Sequence, residues 1–170
     1  MKNLENVQVS EIMTTPVLAV QELTSLSAAG CLFAKHHITG APVIDASGRP
    51  IGMLSTSDLV NPKLERSQRA GTDLYFQVHK GNIESMGVVA NAGTERGVVA
   101  DAMTEGILAV KANAPLLNAV RMLLLGDVHR LVVVQHDKLV GLLTSIDILR
   151  ALVEVDDENI RLRLHFGDKS

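Results

Sequence analysis

The sequence predicts a mixed α/β fold in which one strand–helix–strand–strand–helix unit is used twice. Two repeated blocks carry that prediction. Ile12-Met13-Thr14 with Leu18-Ala19-Val20 recurs as Ala102-Met103-Thr104 with Leu108-Ala109-Val110. Gly52-Met53-Leu54-Ser55-Thr56-Ser57-Asp58-Leu59 recurs at nearly the same offset as Gly141-Leu142-Leu143-Thr144-Ser145-Ile146-Asp147-Ile148. The residue lost between the two offsets falls in a turn, where Ser47-Gly48-Arg49 faces Asp137-Lys138. A unit this short cannot easily bury both of its faces alone, whereas two copies can pack together and leave paired clefts between them.

The elements follow in the same order in each copy. A short apolar strand opens the unit, at Val17–Val20 and at Ile107–Val110. A helix comes next. In the first copy Thr24 or Ser25 can cap it, and Leu26, Ala29, Gly30 and Phe33 form one stripe. In the second copy Asn113 stands near the cap and Pro115 in the first turn, with Leu116, Ala119, Val120, Leu123 and Leu124 as the apolar face. Two strands then read as hairpins, Ala41–Ile44 with Pro50–Leu54 and Leu131–Val134 with Leu139–Leu143. The Val-rich run Leu131-Val132-Val133-Val134 does not alternate, which suits a strand buried on both faces. A second helix closes each copy. Ser145–Val153 fits one well, and its first-copy counterpart meets Asn61-Pro62 early and should be short or kinked.

This gives repeats at 9–62 and 98–155, an insert at 63–97 and a tail at 156–170. The insert is too long for a simple turn. Leu74-Tyr75-Phe76 and Gly87-Val88-Val89-Ala90 argue that parts of it are ordered, and it fits either a surface linker or a flap over a cleft or dimer contact. In the tail, Ile160-Arg161-Leu162-Arg163-Leu164-His165-Phe166 alternates strictly, as a half-buried strand does. Such a strand could pair with a second chain; a helical extension of Ile148–Val155 is the other reading.

Composition narrows the function classes. The 170 residues are 46% hydrophobic and 21% charged, as in a globular protein. Net charge is -3 and only one Tyr and three Phe are present, so neither a basic surface for duplex phosphates nor a set of base-stacking platforms is available. No apolar run reaches membrane-spanning length, and Met1-Lys2-Asn3-Leu4-Glu5 lacks a signal-peptide pattern. Cys31 is the single cysteine, which excludes an internal disulfide. These features point to a cytoplasmic protein that binds neither nucleic acid nor membrane.

The motif richest in chemistry is Gly-x-x-Ser/Thr-x-x-Asp at each strand-to-helix junction, as Gly52…Ser55…Asp58 and Gly141…Thr144…Asp147. Glycine lets a backbone or ligand come close. The hydroxyl stands at a helix start, beside unpaired N–H groups that favour an anion. An ionised Asp one turn on can accept from two adjacent hydroxyls, such as those of a ribose. The same spacing is that of a capping box with Asp in place of Glu, worth about 1 kcal/mol to a helix start, and spacing alone leaves both readings open. A second constellation, Val128-His129-Arg130-Leu131, precedes a strand of the second copy. Arg offers a planar donor fork suited to phosphate and His a further donor. The first copy has Ile38-Thr39-Gly40 there, so the halves are not equivalent.

Other groups read as structural. His36-His37 suits a helix C-terminus, Cys31 a small core residue, and Met13, Met53, Met103 and Met122 core filling. No Cys/His spacing resembles a metal site, and no nucleophile–base pair or carboxylate pair is evident.

On these residues the chain resembles a tandem pair of cystathionine-β-synthase (CBS) domains, a Bateman module, over roughly Val9–Val60 and Val99–Val153. The run from Val128 to Val134 followed by Gly141, Thr144 and Asp147 is similar to a repeat of the AMP-activated protein kinase gamma subunit. The resemblance implies a pseudo-two-fold disc whose two inter-repeat clefts take AMP, ADP, ATP or S-adenosylmethionine. In the main cleft it implies Asp147 on the ribose, Thr144 on ribose or phosphate, His129 and Arg130 on phosphate, and Leu142 as lining. Leu18 and the backbone around Ile38 and Thr39 would contact adenine. The second cleft would use Ser55, Ser57, Asp58 and Thr39, faced by Leu108 and Val128. Without a His-Arg pair it is expected to be weaker, empty, or filled by a less charged ligand. The resemblance further implies a regulatory module, not an enzyme, that forms a homodimer and signals to a separate effector protein. A ligand-free dimerisation or interaction scaffold is the alternative.

Overall fold

The computed structural model describes residues 6–60, 74–79, 81–88 and 97–153. The chain begins with a one-turn helix α1 (Val9–Ile12), followed by β1 (Val17–Gln21), α2 (Leu26–His36), β2 (Gly40–Ile44), β3 (Pro50–Ser55) and α3 (Thr56–Val60). A hairpin, β4 (Leu74–His79) and β5 (Asn82–Val88), precedes the second copy. That copy runs through a 3-10 turn (Val99–Asp101), β6 (Thr104–Glu105), β7 (Ala109–Lys111), α4 (Leu116–Gly126), β8 (Arg130–Gln135), β9 (Lys138–Thr144) and a helix α5 over 145–153. No helix among the described residues is long and apolar enough to cross a membrane.

The strands form two sheets, β5-β4-β1-β2-β3-β6 and β7-β8-β9. Inside each copy the pairing is the same: β1 runs parallel to β2 and β7 to β8, while β2–β3 and β8–β9 are antiparallel hairpins. Each hairpin has a register shift at the equivalent point of the repeat, at Val43/Ile44 and at Val133/Val134. The internal repeat thus extends to its irregularities. Every residue of β2 is buried, and Leu131, Val132 and Val133 of β8 are buried too, as their unbroken apolar runs require.

The helices start and stop for local reasons. Ser25 is the N-cap of α2, its Oγ accepting from the Ala28 N–H at 3.1 Å, while Thr24 Oγ1 accepts from the Gln21 N–H at 3.1 Å. In α4, Pro115 is itself the N-cap position, and no side chain caps this helix; Asn113 lies outside it. His37 and Asp127 end α2 and α4 in the left-handed region, at φ 53 and 48 degrees. Both are residues other than glycine in a conformation that Asn, Asp and His tolerate best. Leu116, Ala119 and Leu123 form the buried face of α4, but Leu124, expected on that face, is 76% exposed because it faces away from β8.

One expectation needs correction. In its described part the insert is neither a plain linker nor a flap. Its strands β4 and β5 pair with each other, and β4 continues the first sheet antiparallel to β1, with Val17 opposite Val78 and Ala19 opposite Phe76. Val78 is 1% exposed, so an alternating apolar strand here satisfies an edge that would otherwise be open. The two copies also share their cores, as units too short to bury both faces alone would. Val7 and Val9, ahead of β1, are buried with Val110, Leu116, Leu123, Leu131 and Leu143 of the second copy, while Val99 is buried with Val20, Leu32, Phe33 and Leu54 of the first. Backbone bonds fix the exchange: the Val9 N–H donates to Ala114 O at 3.0 Å, and the Val99 N–H to Thr24 O at 2.9 Å. A third cluster joins the sheets through Val17, Ala19, Ile44, Val78, Val132 and Leu139. The tail strand and the continuation of the first closing helix lie outside the described residues.

Candidate functional site

The glycines of the repeated motif explain how the sheets come to face each other. At Gly52 a Cβ would stand 2.6 Å from Thr104 O and 3.1 Å from Met103 Sδ. At Gly141 it would strike Met13 Sδ. In each copy the leading segment of the other crosses this bare backbone: Gly52 and Met53 pair with Glu105 and Thr104, and Leu142 with Thr14. The missing side chain therefore serves a close approach of backbones.

The second motif closes its capping box in both directions, and the first makes the bonds to its carboxylate. The Ser55 N–H and Oγ donate to Asp58 Oδ2 at 2.7 and 2.6 Å. The Thr144 N–H and Oγ1 donate to Asp147 Oδ2 at 2.8 and 2.7 Å, and the Asp147 N–H returns a bond to Thr144 Oγ1 at 3.2 Å. The two carboxylates differ in what remains. Asp147 is 8% exposed, and its Oδ1 accepts from Thr14 Oγ1 at 3.3 Å, with Arg150 Nη1 at 4.0 Å. Asp58 is half-buried, and its Oδ1 has no hydrogen-bond partner among the described residues. Ser57 Oγ lies 2.7 Å from Ser55 Oγ, beside it.

Asp58 opens onto a cleft of about 860 Å3 between the copies. Ser55, Ser57 and Asp58 line one wall; Leu108, Val128, His129 and Arg130 line the other, and Thr104, Glu105 and Gly106 close one side. The volume is within the range of about 300–1,000 Å3 usual for small-molecule sites. Arg130, the first residue of β8, reaches across the pseudo-dyad, and its Nη2 donates to Thr39 Oγ1 at 3.1 Å. Its counterpart in the first copy is Gly40, and a Cβ there would stand 2.9 Å from Arg130 Nη1 and 2.8 Å from Leu54 O. One copy thus lacks a side chain where the other places its guanidinium.

The structure regroups the residues that the sequence singled out. All five expected in the second cleft, Ser55, Ser57, Asp58, Leu108 and Val128, line this one. His129 and Arg130, expected to serve the other cleft and to be missing from this one, line it as well. The reason is the emptiness at Gly40, which lets Arg130 lean toward the first copy. Leu18, Ile38, Leu142, Thr144 and Asp147 are not among its lining residues; Leu18 and Ile38 pack partly buried on the first core, and Leu142 on the cluster between the sheets. Thr39 is drawn to the cleft only through Arg130. Sequence reasoning missed Thr104, Glu105 and Asp127 as lining residues. Thr104 had a signal, because it ends the repeated Met-Thr pair, but only the crossing of β6 over β3 shows what that repeat is for. Among the described residues no group of three or more His, Cys, Asp or Glu could hold a metal ion.

The CBS-domain model matches residues 9–63 and 99–154, which contain both copies of the motif. The chain belongs to the CBS-domain family. Among its relatives, the uncharacterised protein MJ1426 of Methanocaldococcus jannaschii is 29% identical over 161 residues, 89% of this chain and 94% of that protein. The chloroplastic CBS domain-containing protein CBSX2 of Arabidopsis thaliana is 32% identical over 144 residues, 82% of this chain. The match spans only 60% of CBSX2's own length. A crystal structure of CBSX2 in complex with AMP superposes with a TM-score of 0.64 at 29% identity, covering 88% of this chain and 98% of that one. The fold is that of a tandem CBS pair, in which two CBS repeats make up the mixed α/β body.

Proposed function

We propose that this CBS pair is a regulatory module, not an enzyme, that binds an adenosine nucleotide in the cleft between Asp58 and Arg130. The observation that carries this reading is Asp58 in the same cleft as Arg130 and His129, its Oδ1 without a donor among the described residues. A carboxylate oxygen without a protein donor can accept from ribose hydroxyls, and a guanidinium with an imidazole beside it can hold phosphate. The complex of CBSX2 with AMP supports the choice of ligand. Charge narrows it further. One guanidinium and one imidazole share the lining with Asp58, Glu105 and Asp127, a set that suits a ligand with few phosphates. AMP is therefore expected to bind more tightly than ADP, and ADP more tightly than ATP.

Bound ligand would touch both copies and favour one arrangement of them, and a separate effector protein would read the change; the shift can be no larger than the ligand's difference in affinity for the two arrangements. Titration calorimetry with AMP, ADP, ATP and S-adenosylmethionine tests the reading. Asp58→Ala and Arg130→Ala should each weaken AMP about tenfold or more, the loss of a charge-assisted hydrogen bond. Asp147→Ala, whose carboxylate is already engaged on both oxygens, should weaken it much less. Equal affinity in wild type and Asp58→Ala would remove the ligand from this cleft.

A second reading, a ligand-free homodimerisation scaffold, is favoured by apolar side chains left exposed on the helices of the second copy: Leu124 at 76%, Leu125 at 88%, Ile146 at 54% and Leu149 at 55%. It expects a stable dimer by light scattering and no thermal shift with any adenosine compound. A true ligand at 100 times its Kd adds about 2.7 kcal/mol.

A further inference from the structure

The second copy holds an open counterpart of the place that β4 fills in the first. In the first copy Val78 of β4 is buried with Val17, Ala19 and Ile44, and with Leu139 from across the pseudo-dyad. The internal repeat makes Ile107, Ala109 and Val134 the counterparts of those first three, and Pro50 that of Leu139. The four counterparts, with Arg49 and Asp137, line a groove of about 380 Å3. Burial follows the difference in filling. Val17 is 4% exposed and Ala19 and Ile44 0%, whereas Ile107, Ala109 and Val134 are only half-buried. The backbone beside the groove is open too. β7 pairs with β8 alone among the described residues, and the Val132 N–H donates to Leu108 O. Alternation then turns the N–H of Ala109 and Lys111 and the C=O of Ala109 toward the unpaired edge, while the Lys111 C=O accepts from the Ala114 N–H at 3.0 Å. An unpaired edge beside half-exposed apolar residues is a template for one more strand.

We propose that this groove accepts an extended strand, and that its occupant is the chain's own segment Ile160–Phe166, antiparallel to β7. That segment lies outside the described residues, and its sequence makes the case. Ile160, Leu162 and Leu164 alternate with Arg161, Arg163 and His165, as Leu74, Phe76 and Val78 alternate with Tyr75, Gln77 and His79. Leu162-Arg163-Leu164-His165 repeats the pattern of Phe76-Gln77-Val78-His79, including its final histidine. Ile160 follows Asp147 at nearly the chain distance at which Leu74 follows Asp58. Carrying over the register of β1 and β4 sets Leu164 opposite Ile107, Arg163 opposite Leu108 and Leu162 opposite Ala109. Leu164 then fills the groove as Val78 fills its counterpart. Arg49 is already drawn to Asp45 at 3.6 Å, which leaves Asp137 on the rim to face the basic strand.

The test uses the full chain and does not depend on any nucleotide. In a Cys31→Ser background, Leu108→Cys with Arg163→Cys should form a disulfide within one chain under mild oxidation, read by mass spectrometry at low protein concentration. Position 108 faces the added strand as a non-hydrogen-bonded pair, whose spacing suits a disulfide. Leu108→Cys with Arg161→Cys, two residues out of register, should not form one. In the otherwise native chain, Leu162→Glu with Leu164→Glu should speed amide exchange at Ala109 and Lys111 by about tenfold or more and leave β1 unchanged. A disulfide between chains, equal cross-linking of both cysteine pairs, or unaltered exchange along β7 would overturn the proposal.

Discussion

Gly40 and Arg130 occupy the same position in the two copies and meet across the pseudo-dyad. The pair shows how a duplicated sequence becomes asymmetric: one copy gains a charged side chain, and the other must keep a bare backbone to receive it. Gly40→Ala should therefore cost about 1–3 kcal/mol, the usual price of overpacking, because its Cβ would press on Leu54 O, which cannot move aside, as well as on the guanidinium. Urea denaturation checks the stability. Nucleotide affinity should fall in parallel as Arg130 is displaced from the cleft. Sequence alone marked Gly40 only as the absence of a cation, since nothing along the chain says that the two positions touch. The carboxylates carry the same lesson. Asp58 and Asp147 are indistinguishable by spacing, and among the described residues what sets them apart is the bond that Asp147 Oδ1 accepts from Thr14, which is far from it in sequence.

At the scale of elements, the turn between β2 and β3 shows a local sequence writing its own structure. Asp45 Oδ1 accepts from the Ser47 N–H at 2.9 Å, from Ser47 Oγ at 2.6 Å and from the Arg49 N–H at 2.9 Å. The Ser47 hydroxyl is the main reason that the Asp45 carboxyl is held below its ordinary value of 3.8; burial opposes it, and the backbone donors and Arg49 assist. A lowered folded pKa means that the ionised form is the one that stabilises. The contribution is present above the unfolded value and is lost as pH falls through the folded one. Asp45→Ala should thus be less stable than wild type at neutral pH, and the gap should close as pH drops below about 3.8; thermal melts of both proteins across that range measure it. The hairpins and helices of both copies, and the Ser25 cap of the first, were legible because each depends on neighbours in sequence. The pairing of β4 with β1 was not, because an alternating strand does not name its partner.

Across the whole molecule, the exchange of leading segments decides how the CBS pair holds together. Each copy lends a short apolar piece to the other's core, Val7 and Val9 in one direction and Val99 in the other. Neither copy can unfold without exposing part of its neighbour, so heat should produce one transition and not two. Val9→Ala, at a site 0% exposed, should cost about 2 kcal/mol from the two methyl groups lost. It should lower the protection of slowly exchanging amides in β2 as much as in β8, although Val9 opens the first copy in sequence. Hydrogen exchange that fell only in β8 would mean that the two copies open separately.

By itself the sequence determined the repeated unit, the order and kind of its elements, the motifs at the strand–helix junctions and the family they resemble. All of these rest on interactions among residues a few positions apart, or on a pattern that can be compared with itself. Only the tertiary structure decided which half supplies which wall of the cleft, where β4 lies, and which carboxylate is bonded by Thr14. Those outcomes depend on backbones crossing at Gly52 and Gly141 and on a guanidinium fitting over Gly40, contacts between segments that the linear chain keeps far apart.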